Sequence, residues 1–172
     1  MNRQYPIGKL SFSEDHSQED QEQWIDDIAL LPERIRTEIN GCSDDILLTP
    51  YREGGWTLRQ VIEHLVDSHM NTIIRIKTAL TEEDPTIRPY NEVAWADMGF
   101  QFSVPLELTL ELLENIHELM VRIYQSLDDK QWERTFVNPE SGNFTIAKSA
   151  ALYAWHSNHH LAHIRLVTQS EK

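Results

Sequence analysis

Tyr153-Ala-Trp-His-Ser-Asn-His-His-Leu-Ala-His-Ile-Arg-Leu166 holds four of the chain's eight histidines: His156, His159, His160 and His163. Its flanks, Ile146 to Leu152 and Leu161 to Val167, contain no Gly or Pro and carry apolar residues at helical spacing, which predicts a helix. On a helix, residues four apart are neighbours, with about 5–6 Å between their Cβ atoms. Two such pairs exist, His156 with His160 and His159 with His163, and either can offer two imidazoles to one metal ion. At about 100° per residue, Leu152, Trp155, His159, His163 and Leu166 share one face, with His156 on its flank. His160 falls further round, with Tyr153 and Val167. This phase predicts that His159 and His163 look inward. A zinc-like ion takes three or four protein donors, so a further ligand has to come from another segment.

Three more long helices are expected upstream. Ser17 is placed to cap the first, whose opening turn carries Glu19, Asp20 and Glu22. Its apolar stripe is Trp24, Ile28, Leu31, Ile35 and Ile39; Pro32 inside it is expected to kink or split the helix, and Gly41 to end it. Asp44 to Tyr51 reads as a connection with a short turn of helix. Gly54-Gly55 leads into the second long helix, where Thr57-Leu-Arg-Gln60 matches a capping box. Leu58, Val61, Ile62, Leu65, Ile73, Ile76 and Leu80 form its apolar face, and Pro85 bounds its end. A short helix is expected within Asn91 to Met98. The third long helix opens at Ser103-Val-Pro105, with the seam Leu106, Leu110, Leu113, His117, Met120, Tyr124 and Leu127. Asp128 to Asn143 reads as a connection, and the last helix begins near Thr145 and frays before Lys172. Residues 1–16 read as an irregular arm anchored by Tyr5-Pro-Ile7 and Leu10-Ser-Phe12. The pattern is all-α, a four-helix bundle forming one domain over residues 1–172.

Composition narrows the partners. The formal charge of -13 and the absence of a basic stripe argue against nucleic acid. No apolar run of about 18 residues exists, so no membrane span is expected. With a lone cysteine, Cys42, and no signal-like N-terminus, the expected compartment is the reducing cytoplasm. Three histidines outside the last helix are candidate ligands: His64, His69 and His117. Phase favours His69, mid-stripe with Leu65, Ile73 and Ile76, over His64 at the edge and over His117, which reads as a seam residue bonded across the bundle. The residues alone leave these alternatives open.

Four stretches stand out together, in order along the chain: Pro50-Tyr-Arg-Glu-Gly-Gly-Trp-Thr-Leu-Arg-Gln-Val61, His64-Leu-Val-Asp-Ser-His-Met-Asn71, Pro85-Thr-Ile-Arg-Pro-Tyr90 and Tyr153 to Ile164. In these the chain resembles the DinB/YfiT-like superfamily of metalloenzymes, most closely its YfiT branch. The resemblance implies a four-helix bundle in which three histidines bind one zinc or nickel ion. Carried over, they are His64, His159 and His163. His156 and His160 then become pocket residues. Asp67 orients a ligand or accepts a proton if it is not simply solvated, and Arg52, Glu53, Trp56 and Tyr90 line the pocket mouth. The implied activity is metal-dependent hydrolysis of a small substrate. S-transfer of a low-molecular-weight thiol such as bacillithiol is the alternative, and a non-catalytic metal-binding module the third reading. A homodimer is implied as well.

Overall fold

The computed structural model describes residues 2–13 and 15–170. Four long helices make the bundle: α1 (Gln18–Ile39), α3 (Leu58–Thr81), α5 (Leu106–Gln125) and α7 (Ile146–Thr168). Three short ones lie in the connections, α2 (Asp44–Leu47), α4 (Glu92–Ala96) and α6 (Asp129–Trp132). The first and second long helices each pack against both of the others, α1 on α5 and α7, and α3 on α5 and α7. Thus α1 and α3, consecutive in the chain, lie across the bundle diagonal. No helix among the described residues is long and apolar enough to cross a membrane.

The helix starts follow the expected capping chemistry. Ser17 and Asp20 form a capping box at α1, and Thr57 and Gln60 form another at α3. The second matters for function, because it fixes the entry of the helix that carries His64. Thr57→Ala is expected to cost about 1 kcal/mol, read as a lower urea midpoint with an unchanged slope. Behind α1, Gly41 takes φ +77°, the left-handed conformation that closes a helix. At the start of α5 the backbone of Pro105 occupies the N-cap position.

Pro32 does not split α1. The helix runs unbroken from Gln18 to Ile39, with Leu31 and Pro32 buried in the core. The core itself is built from Ile28, Leu31, Ile35, Leu58, Ile62, Leu65, Ile76, Leu113 and Met120, each at most 1% exposed. The 128–143 connection is more ordered than expected. It contains α6 and a hairpin, β1 (Thr135–Asn138) antiparallel to β2 (Gly142–Thr145), with Phe136 opposite Phe144. The two rings stack at 5.6 Å and are buried, so the hairpin plugs one end of the bundle. Four-residue strands are too short to show an alternating pattern in the sequence. The arm is anchored as expected, Tyr5 lying beside the His159 ring and Phe12 edge-on to Phe144. Met1 and Glu14 of the arm, and Lys172 at the far end, lie outside the described residues.

Candidate metal centre

His159 and His163 are buried, as expected, but the buried face of α7 is wider than the expected one. Its buried residues include Ala147, Ala150, Tyr153, Ala154, Ser157, His160, Leu161 and Ile164, while Leu152, Trp155 and Leu166 are only partly buried. Large apolar side chains suggested the core-facing side, but the seam is lined largely by small residues that let the helices approach closely. That stretch of Ala and Ser was the available signal.

Ring geometry decides which of these imidazoles meet. One ring nitrogen each from His64, His156 and His160 lies within 4.8 Å of the others. Nε2 of His64 is 3.1 Å from Nε2 of His156. His160 packs edge-on to both rings, at 4.9 Å from His64 and 4.4 Å from His156. His159 and His163, the pair that the resemblance implied as ligands, are outside this group. The His159 ring stacks on Trp155 at 4.4 Å. The His163 ring stacks on Tyr51 at 3.9 Å, with its Nε2 3.3 Å from the Gln4 carbonyl. His64 is the member of the expected set that the structure does bring into the cluster.

Electrostatics suit a cation. Burial pushes the His64 imidazole down to about 4. Burial first, and then the neighbouring imidazoles, hold His156 and His160 well below the ordinary histidine range. All three rings are therefore neutral at pH 7, the state in which imidazole is a ligand. Two imidazole nitrogens on a tetrahedral ion sit roughly 3.3 Å apart, given bonds of about 2.0–2.1 Å. The 3.1 Å approach of His64 and His156 is close to that span. The donor set thus fits one zinc-like ion and can hold it with a position left open.

The remaining expected residues sort around this point. Trp56 covers His64, with ring centroids 4.7 Å apart. Tyr90 lines a cavity of about 410 Å³ that includes His64, His156, His160 and Trp56. Burial pushes its phenol above the usual range, against the smaller lowering influence of the nearby Ser68 hydroxyl. Asp67 shares no hydrogen bond with the described imidazoles; its carboxyl is pushed up to about 6 by burial and then by the charge of Glu63. Sequence reasoning missed Arg75. Its guanidinium reaches the cavity wall, donates from Nη1 to the Tyr153 hydroxyl at 3.2 Å, and keeps a buried Nε without a described partner.

Two further buried histidines stand behind His156. Nδ1 of His69 is 2.7 Å from Nε2 of His117, and Nε2 of His69 is 3.1 Å from Nδ1 of His156. His69, favoured by phase as a ligand, therefore touches the cluster from outside.

Comparison with known proteins agrees with this architecture. A protein of Oceanobacillus iheyensis named "Putative metal-dependent hydrolase" is 44% identical over 164 residues, spanning 95% of this chain and 95% of its own. A Bacillus cereus protein of the same name is 44% identical over 160 residues, spanning 93% and 92%. Among solved structures, YfiT from Bacillus subtilis, described as "a probable metal-dependent hydrolase with an unusual four-helix bundle topology", matches with a TM-score of 0.95 at 39% identity, over 99% of this chain and 98% of that one. The family profile described as the DinB superfamily matches residues 20–164. With a bundle of that shape and relatives this similar along nearly its whole length, the chain belongs to the DinB superfamily.

Proposed function

We propose that the chain is a metal-dependent hydrolase of a small substrate, with His64, His156 and His160 holding one zinc or nickel ion. The observation that carries this reading is the convergence of three neutral imidazoles, two from α7 and one from α3, on the wall of a cavity of about 410 Å³. Bound there, a divalent ion supplies Lewis acidity and makes a water or a thiol in its open position acidic enough to serve as a nucleophile near neutral pH.

The protein's own groups supply the rest. Trp56 and Leu152 wall the cavity with apolar surface that limits water around a bound substrate. Arg75 and Tyr90 present donors from the same wall, suited to a carboxylate or carbonyl oxygen of the substrate. Asp67, one turn after His64 on α3 and with its carboxyl raised to about 6, would serve as a proton acceptor. The named activity of the relatives supports hydrolysis as the first version.

The protein freed of metal and reloaded with zinc or nickel separates the readings. It is assayed against chromogenic esters and amides, and against an electrophilic aryl chloride with and without bacillithiol. Ion-dependent turnover without thiol is the expected result. Turnover that appears only with thiol replaces hydrolysis by thiol S-transfer. Tight metal binding with no exchangeable position and no turnover leaves the non-catalytic module.

A further inference from the structure

Pro32 has no N–H, so the Ile28 carbonyl one turn back lacks the partner that a helix normally supplies. His117 on α5 takes that place, with its Nδ1 2.6 Å from the Ile28 oxygen. A carbonyl only accepts, so Nδ1 of His117 carries the proton. The neutral ring then has its lone pair on Nε2, facing Nδ1 of His69 at 2.7 Å. The same step repeats. Nδ1 of His69 donates, its Nε2 accepts, and the donor it meets is Nδ1 of His156 at 3.1 Å. His156 is left with its lone pair on Nε2, the atom that faces His64.

A second chain of contacts reaches His160 from the other side. The Gln4 carbonyl, in the N-terminal arm, accepts from Nε2 of His163 at 3.3 Å. The lone pair of His163 is then on Nδ1, which lies 3.3 Å from Nδ1 of His160. His160 donates there and keeps its own lone pair on Nε2.

We propose that these are two tautomer-fixing relays, Ile28 carbonyl–His117–His69–His156 and Gln4 carbonyl–His163–His160, each of which holds an α7 histidine in the Nδ1–H form with Nε2 free to coordinate. The inference rests on reading His156 and His160 as ligands. Metal-ligating histidines usually donate their second ring N–H to a carboxylate, a backbone carbonyl or water. Here a neutral imidazole stands in that place, and a backbone carbonyl at the far end of each relay sets the direction of every hydrogen bond in it. The proline inside α1, the histidine in the α5 seam and the docked arm all acquire one role. His69, His117 and His163 are positioning residues, acting through the ligands they touch.

Nitrogen-15 histidine labelling of the metal-free protein, read by two-bond proton–nitrogen correlation, reports the tautomer of each ring. His117, His69, His156 and His160 are expected to carry the proton on Nδ1, and His163 on Nε2. Finding His156 or His160 protonated on Nε2 overturns the relay, whether or not the protein binds metal. The ligand reading fails separately, if the parent binds no zinc or if His156→Ala binds it normally. In a zinc titration against a competing chelator, His117→Phe and His163→Phe are each expected to weaken binding about 10–100-fold with unchanged circular dichroism. Parental affinity in either folded variant overturns the corresponding relay; where a variant does not fold, the parent's tautomers decide.

Discussion

His160→Ala is expected to lose divalent-ion binding, whereas His159→Ala binds zinc as the parent does. Both residues sit on α7 one position apart, both are buried, and the two sequence-adjacent i,i+4 pairs look equivalent in one dimension. The distinction is geometric. The His160 ring faces His64 and His156, so its removal leaves two donors for an ion that needs at least three. The His159 ring is turned onto Trp155, with Tyr5 beside it, and offers no nitrogen to the cluster. His163→Ala falls between them. It removes the hydrogen-bond partner of His160 Nδ1 without removing a donor, so its effect is confined to the range of about 10–100-fold that an outer partner contributes. Chelator-competition titration of the three variants orders them. If His159→Ala abolishes binding while His160→Ala retains it, the ligand set is His64, His159 and His163, and the centre described above is wrong.

The bundle was legible from the sequence because its signals are local and redundant. Capping boxes at Ser17 and Thr57, a positive-φ glycine at Gly41 and the α5 seam each mark an element without reference to the others. His64 was identified through the resemblance, against a phase argument that favoured His69. That argument was sound as far as it went: His69 is fully buried and mid-stripe, but its ring is occupied by His117 on one side and His156 on the other. The phase of α7 was read too narrowly: hydrophobicity ranks Trp155 and Leu166 above Ala150 and Ser157, whereas close helix packing selects small side chains, and His160 is buried along with His159 and His163. Arg75 was invisible for another reason. A single arginine on a predicted helix reads as solvated, and only the fold puts it beside Tyr153 on the cavity wall.

Acid is expected to destabilise the metal-free protein between pH 6.5 and 4, above the ordinary carboxylate range. Burial holds His64 and His117 down to about 4, against an ordinary value of 6.5, and, with the neighbouring imidazoles, holds His69, His156 and His160 well below the ordinary histidine range. Above pH 6.5 these rings are neutral in both the folded and the unfolded chain, and their contribution to stability does not change with pH. As the pH falls from 6.5 towards 4, the unfolded ensemble takes up protons that the folded rings refuse, so stability falls with it. A difference of about 2.5 pH units at about 1.4 kcal/mol each amounts to roughly 3 kcal/mol for each of His64 and His117. Two such rings together rival a typical net stability of about 5–15 kcal/mol. Urea denaturation at pH 7.5, 6 and 5 measures this directly, with the midpoint expected to drop at each step. Zinc at about 100 times its dissociation constant should add about 2.7 kcal/mol at pH 7.5 and progressively less on acidification, because proton and ion compete for the same nitrogens. A midpoint that stays flat from pH 7.5 to 5 would mean that the imidazoles reach solvent and protonate freely in the folded state, which is incompatible with a closed cluster of neutral donors between α3 and α7.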